Sequence, residues 1–180
     1  MEKNMTVEQR LLSETFWSGE TEDELLRILK SNPDINIRND EGETPLHIAV
    51  MHCKFAQVIE KLLAQKANFR ARDERGRTPL HLAAAHSEIP EILEAICNYF
   101  VDIGAQDGVG DTPLHYAAMG KTPKVVELLL DRGVNGAITN DEGSTPFDVA
   151  KRHKHLKGSY AYWLLNDAKF NDKPVSGHED

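Results

Sequence analysis

Histidine and cysteine are the residue types in this chain best suited to metal binding or acid–base work, and there are eight histidines and two cysteines in 180 residues. Their spacing decides whether they could act together. His47, His81 and His115 recur at intervals of 34 residues. A second set, His52, His86 and His153, lies eight residues after Thr44, Thr78 and Thr145, with Gly120 in the same place after Thr112. A zinc ion needs its ligands roughly 2 Å from one point, so residues a full interval apart would have to converge in space. Cys53 and Cys97 lack Cys-x-x-Cys spacing. The chain also lacks a glycine-rich phosphate loop, a His-Glu-x-x-His helix and a nucleophile elbow. The run from Asp107 to Asp111 mixes glycines with acids but reads as a turn, and Asp148, His153 and His155 gather near a helix end. No catalytic residue, cofactor or metal site is expected.

The elements that must position these residues repeat. "GETPLHIAV" at 42–50 returns as "GRTPLHLAA" at 76–84, "GDTPLHYAA" at 110–118 and "GSTPFDVAK" at 143–151. Within each copy a threonine hydroxyl can cap a new helix, and proline suits the first helical position because its missing N–H would have no partner there. A short apolar helix rich in alanine follows, then a polar turn. A second helix comes next with an apolar stripe spaced i, i+1, i+4, i+5: Val58, Ile59, Leu62 and Leu63 in one copy, Ile92, Leu93, Ile96 and Cys97 in the next, Val125, Val126, Leu129 and Leu130 in the third. Cys97 thus reads as a small buried hydrophobe. Asn39, Asp73, Asp107 and Asn140 each precede a glycine by three residues, which is turn chemistry. One such unit cannot bury its stripe alone, so the units must stack.

Thr-Pro-Leu-His-x-Ala at this period resembles the ankyrin repeat. The resemblance implies an all-α solenoid: a stack of helix-turn-helix units with protruding β-turn or hairpin loops. One domain is expected over 1–170, with an N-terminal capping repeat at about 5–38, repeats at about 39–72, 73–106 and 107–139, a C-terminal cap at about 140–170, and a polar tail, 171–180. In the N-terminal cap, Thr6…Gln9 and Thr21…Glu24 fit capping boxes. Leu25, Ile28 and Leu29 supply its stripe, while polar residues replace the rest. "SYAYWLLNDAKF" is the expected last helix, closing the stack.

The chain departs from the family pattern where glycine usually ends the second helix, since Asn32, Lys66 and Phe100 stand there beside Gly133. Phe100 cannot take positive φ cheaply, so a remodelled loop is expected after it. Cys53, Ser87 and Lys121 replace the usual glycine between helices, and the first two repeats place one extra residue in that turn. Asn36, in "DINIRND", resembles a consensus that some oxygenases hydroxylate in this family, but a structural turn role is expected.

The resemblance also implies that His47, His81 and His115 bond within and between the turns, with Asp148 in the fourth place. Equivalent positions would then stand on the order of 10 Å apart, the distance between packed helices, which is too far to share a zinc ion. Met51, Ala85, Met119 and Arg152, and the column of His52, His86 and His153, fall on the concave face, a common partner-binding surface. Together with the turn tips they give the candidate partner-binding residues Glu41, Glu43, Met51, His52, Arg75, Arg77, His86, Val109, Asp111, Met119, Glu142, Arg152 and His153.

A net charge of −8 argues against nucleic acid as the partner. Residues 1–45 hold eleven acids and five bases, so a protein partner with a basic patch fits. No run is long enough to cross a bilayer, "MEKNMTVEQR" holds no signal-type apolar stretch, and two cysteines suit a reducing compartment. The expected protein is a cytoplasmic monomer, an adaptor, inhibitor or scaffold without catalysis, with a nuclear or host-cell setting open. The alternative is a microbial or viral effector or immunity-type ankyrin protein acting on a foreign protein; a metal-binding or enzymatic protein ranks below both.

Overall fold

The computed structural model describes residues 5–99, 102–120, 122–153 and 155–170, which contain helices and turns but no strand. A short leading helix, α1 (Val7–Leu11), precedes five helix pairs. These are α2 (Glu14–Gly19) with α3 (Glu22–Lys30), α4 (Pro45–His52) with α5 (Ala56–Ala64), and α6 (Pro79–His86) with α7 (Pro90–Cys97). α8 (Pro113–Met119) with α9 (Pro123–Asp131) and α10 (Pro146–Arg152) with α11 (Tyr160–Ala168) complete the stack. First helices pack in the order α2, α4, α6, α8, α10, and second helices in the order α3, α5, α7, α9, α11.

This layering follows from the two sequence patterns. A first helix is flanked on both sides by its neighbours, so it is apolar almost all round: Leu46, Ile48, Ala49 and Val50 are buried in α4, and Leu80, Leu82, Ala83 and Ala84 in α6. Alanine keeps the helices close. A second helix is amphipathic. In α5, Val58, Ile59, Leu62 and Leu63 are buried, while Gln57, Glu60 and Ala64 are exposed. All of the predicted stripe residues are buried except Cys97, which is half-buried.

Asn32 (φ 55°) and Lys66 (φ 68°) follow α3 and α5 in the left-handed conformation that Gly133 (φ 81°) takes after α9. The sequence thus accepts a cost on the order of 1 kcal/mol at Lys66 to close the helix. Phe100 and Val101 lie outside the described residues, as does Lys121, but from Asp102 on the loop is not remodelled: Ala105 N–H bonds the Asp102 carbonyl and Gly104 N–H the Asp102 carboxylate, as Ala71 and Arg70 bond Asn68 one repeat earlier. The extra residue of the first two repeats sits in the first helix rather than in the inter-helix turn. α4 and α6 have eight residues and α8 and α10 seven. The links stay orderly because Cys53 and Ser87 bond to Phe55 and Ile89 two residues on.

The N-terminal unit corrects a second expectation. Beyond the stripe of Leu25, Ile28 and Leu29 it is not polar, because Leu11, Phe16 and Trp17 are buried as well. The Trp17 indole N–H donates to the Leu11 carbonyl at 2.9 Å, which ties α1 beneath α2. Thr6 and Gln9 form the full capping box. Thr21 forms only half of one, because the Glu24 carboxylate turns to Arg27.

Candidate partner-binding face

Each turn is built around one Asx side chain. Asn39 Oδ1 accepts the backbone N–H groups of Glu41 and Glu43, and Asp73, Asp107 and Asn140 do the same one repeat further on. Gly42, Gly76, Gly110 and Gly143 supply the positive φ, between 72° and 79°. Successive tips are joined by single backbone bonds: Glu74 N–H to the Glu41 carbonyl, Gly108 N–H to that of Arg75, and Asp141 N–H to that of Val109, at 2.8–3.1 Å. Arg38, Arg72 and Gln106 each donate to two carbonyls, one in their own turn and one a repeat away. The tips therefore form one continuous edge with fixed spacing.

The motif histidines anchor this edge to the helices. His47 Nδ1 accepts from the Thr44 backbone N–H at 3.1 Å and lies 2.9 Å from the Thr44 hydroxyl. His47 Nε2 lies 3.1 Å from the Arg77 carbonyl in the next turn. A ring nitrogen facing an N–H must be bare, and one facing a carbonyl must carry hydrogen, so the ring is the neutral Nε2–H tautomer. His81 and His115 repeat the arrangement with the carbonyls of Asp111 and Ser144. All three rings are buried. Burial pushes His47 down to about 4, against a weaker opposing pull from its bond to Arg77, and lowers His81 and His115 as well. Asp148 caps α10 in the fourth place, where its carboxylate bonds Thr145 and pairs with Lys151 and Lys169. Among the described residues no group of three His, Cys, Asp or Glu could hold a metal.

The thirteen candidate residues fall into three neighbouring grooves. Glu41, Glu43, Arg75 and Arg77 line one of about 530 Å³, Met51, His52 and His86 a second of about 400 Å³. Val109, Asp111, Met119, Glu142, Arg152 and His153 line a third of about 420 Å³. Not all of them are available to a partner. Arg77 donates to Asp73 at 2.6 Å and lies 3.5 Å from Glu43, and both members of the latter pair are mostly buried. Asp111 accepts from Asn140 at 2.8 Å. These three brace one turn against the next. By contrast, Glu41 and Arg75 are exposed and their side chains bond nothing among the described residues, and Val109 is 56% exposed. Arg152 and Glu142 form an exposed pair at 3.1 Å, which a partner could exchange cheaply.

Sequence reasoning missed several contributors. Leu12 and Glu14 of the N-terminal unit line the first groove with Glu74, and Glu14 approaches His52 to 3.8 Å. Tyr116 lines a further groove of about 690 Å³ with Arg75 and Val109. Its hydroxyl donates to Asp107 at 2.8 Å; burial first, then the Asp107 carboxylate, raise the phenol's pKa well above its ordinary value. A signal existed for Tyr116, since tyrosine stands where the other copies carry Ile48, Leu82 and Val149. Leu12 and Glu14 had none, because the degenerate first unit hides its register. Burial also pushes the Cys97 thiol up to about 11, so it is inert rather than reactive. Asn36 sits in the expected turn role, bonding Lys66 and Asn68 across to the next unit.

Charge is concentrated on this edge. The four turns, 38–43, 72–77, 106–111 and 139–144, hold nine carboxylates and four guanidinium groups, so most of the net charge of −8 lies in them. No helix among the described residues is long and apolar enough to cross a membrane. None of the curated proteins matches the chain. The family described as ankyrin repeats (3 copies), whose members typically serve as protein–protein interaction modules, matches at residues 17–107 and again at 90–174. With its five stacked helix pairs, linked turn tips and threonine-capped first helices, this chain belongs to the ankyrin repeat family.

Proposed function

We propose that the chain is a non-catalytic protein-binding module that grips a folded partner with its turn tips and the adjoining first-helix column. The observation that carries this reading is the fixed, charged edge. Its tips are locked to one another by backbone bonds, yet Glu41, Glu74 and Arg75 extend exposed side chains that form no hydrogen bond or ion pair among the described residues. A rigid surface binds without paying an ordering cost. The excess of carboxylates favours a partner with a basic patch, which would be steered to the edge at long range. Met51 and Met119, half-buried beside this edge, supply adaptable apolar contacts at its centre. Sparse, unbridged cysteines support action in a reducing interior such as the cytosol.

A photo-crosslinking residue tests the reading directly. Placed at Val109 on the edge, it should capture a partner protein; placed at Glu94, on the exposed row of α7, it should not. Capture from Glu94 alone would move the binding face to the outer helices.

A further inference from the structure

Five large apolar side chains stand exposed among the described residues, and three of them belong to one end of the stack: Tyr160 at 64%, Trp163 at 62% and Phe170 at 76%. Ala161, Leu165 and Ala168 form the buried side of α11. At about 100° per residue, Trp163 lies roughly opposite that buried row, and Phe170 is exposed in the turn that follows the helix. α11 is therefore apolar on both sides. Packing among the described residues does not require this. The exposed row is Gln57, Glu60 and Ala64 on α5, and Glu91, Glu94 and Asn98 on α7. The corresponding places on α11 hold Tyr160, Trp163 and Asp167. Exposed aromatic side chains clustered at one end of a fold mark an interaction surface.

We propose that this row pairs with the same row of a second copy, antiparallel, about a twofold axis beside Trp163. The row complements itself when read backwards. In an antiparallel pair centred between positions 163 and 164, Tyr160 meets Asp167 of the second copy and the two Trp163 rings meet at the axis. These are a phenol donating to a carboxylate and an aromatic pair. Twofold symmetry makes the first contact twice. A parallel pair would instead set Asp167 against Asp167. The row belongs to the second-helix layer and the candidate partner face to the turns and first helices, so dimerisation leaves the latter open. This departs from the monomer expected from sequence, where this segment is only the helix that closes the stack.

Sedimentation equilibrium from about 1 μM to about 1 mM, the range in which small interfaces dissociate, tests it. The wild-type mass should climb from 20.2 kDa towards twice that value. Trp163→Glu should stay monomeric throughout with an unchanged helical spectrum, because the side chain it replaces is exposed. For the orientation, a Tyr160→Cys chain mixed with an Asp167→Cys chain should give the mixed disulfide on oxidation in preference to either symmetric one. A wild-type mass that never rises would overturn the proposal. So would growth beyond a dimer, association that survives Trp163→Glu, or symmetric disulfides in place of the mixed one.

Discussion

Acid should loosen this protein through its buried histidines. Burial pushes His47 down to about 4 in the folded chain against 6.5 for the ordinary side chain, outweighing its bond to the Arg77 carbonyl. Between those limits the unfolded chain binds a proton that the folded chain refuses, so stability falls as pH falls. At 1.36 kcal/mol per pKa unit, His47 alone removes about 2 kcal/mol between pH 7.5 and 5, and about 3 kcal/mol once pH passes below 4. His81 and His115 act in the same direction. Asp148 does not interfere in this window. Burial pushes its carboxyl up, but Lys151, Thr145 and Lys169 more than offset this and hold it well below the ordinary range, so its contribution persists until lower pH. Urea unfolding at steps from pH 7.5 to 5 measures the effect. His47→Gln should be less stable than wild type at pH 7.5, yet lose about 2 kcal/mol less over the same interval. A wild type with flat stability across that range, or a variant that keeps the full wild-type slope, would refute the neutral, doubly bonded ring.

Three further perturbations probe the register and the edge. Leu129→Ala truncates a fully buried stripe residue and should cost about 2–5 kcal/mol, whereas Glu142→Ala, at an exposed tip, should stay within about 0.5 kcal/mol; chemical denaturation distinguishes them. Gly108→Ala would place a Cβ 2.7 Å from the Arg75 carbonyl, which accepts the Gly108 N–H, and should destabilise by about 1–3 kcal/mol in thermal or urea unfolding. Neutralising Glu41 or Arg75 should leave unfolding unchanged but alter the association rate with a partner and its salt dependence, read by stopped flow.

The fold was legible because the repeated phrase encodes each layer locally. Threonine, proline and an alanine-rich run specify a short helix covered on both sides, and the i, i+1, i+4, i+5 stripe specifies an amphipathic one. The Asx–glycine offset specifies the turn. Sequence spacing could not show which polar residues of the candidate site are spent on structure. Glu43 and Arg77 are 34 residues apart in the chain and meet only because adjacent turns stack. Asp111 is taken up by Asn140 for the same reason. Leu12 and Glu14 joined the first groove unannounced, since α1 and α2 carry no copy of the repeated phrase. The exposure of Tyr160 and Trp163 was not legible in the expected last helix, because an apolar pattern does not say which side another element will cover.

Whether the turn tips and the adjoining first-helix column bind a protein partner is decided by a comparison of affinities. A partner recovered by crosslinking from Val109 would be titrated calorimetrically against the wild type and against the triple variant Met51→Ala, His86→Ala, Met119→Ala. The variant should remain folded, since His86 is exposed and both methionines are only partly buried. Its affinity should fall by at least about tenfold, the equivalent of 1.4 kcal/mol. Unchanged affinity in the folded triple variant would contradict the account and place the binding surface elsewhere, on the outer helices or the acidic N-terminal unit.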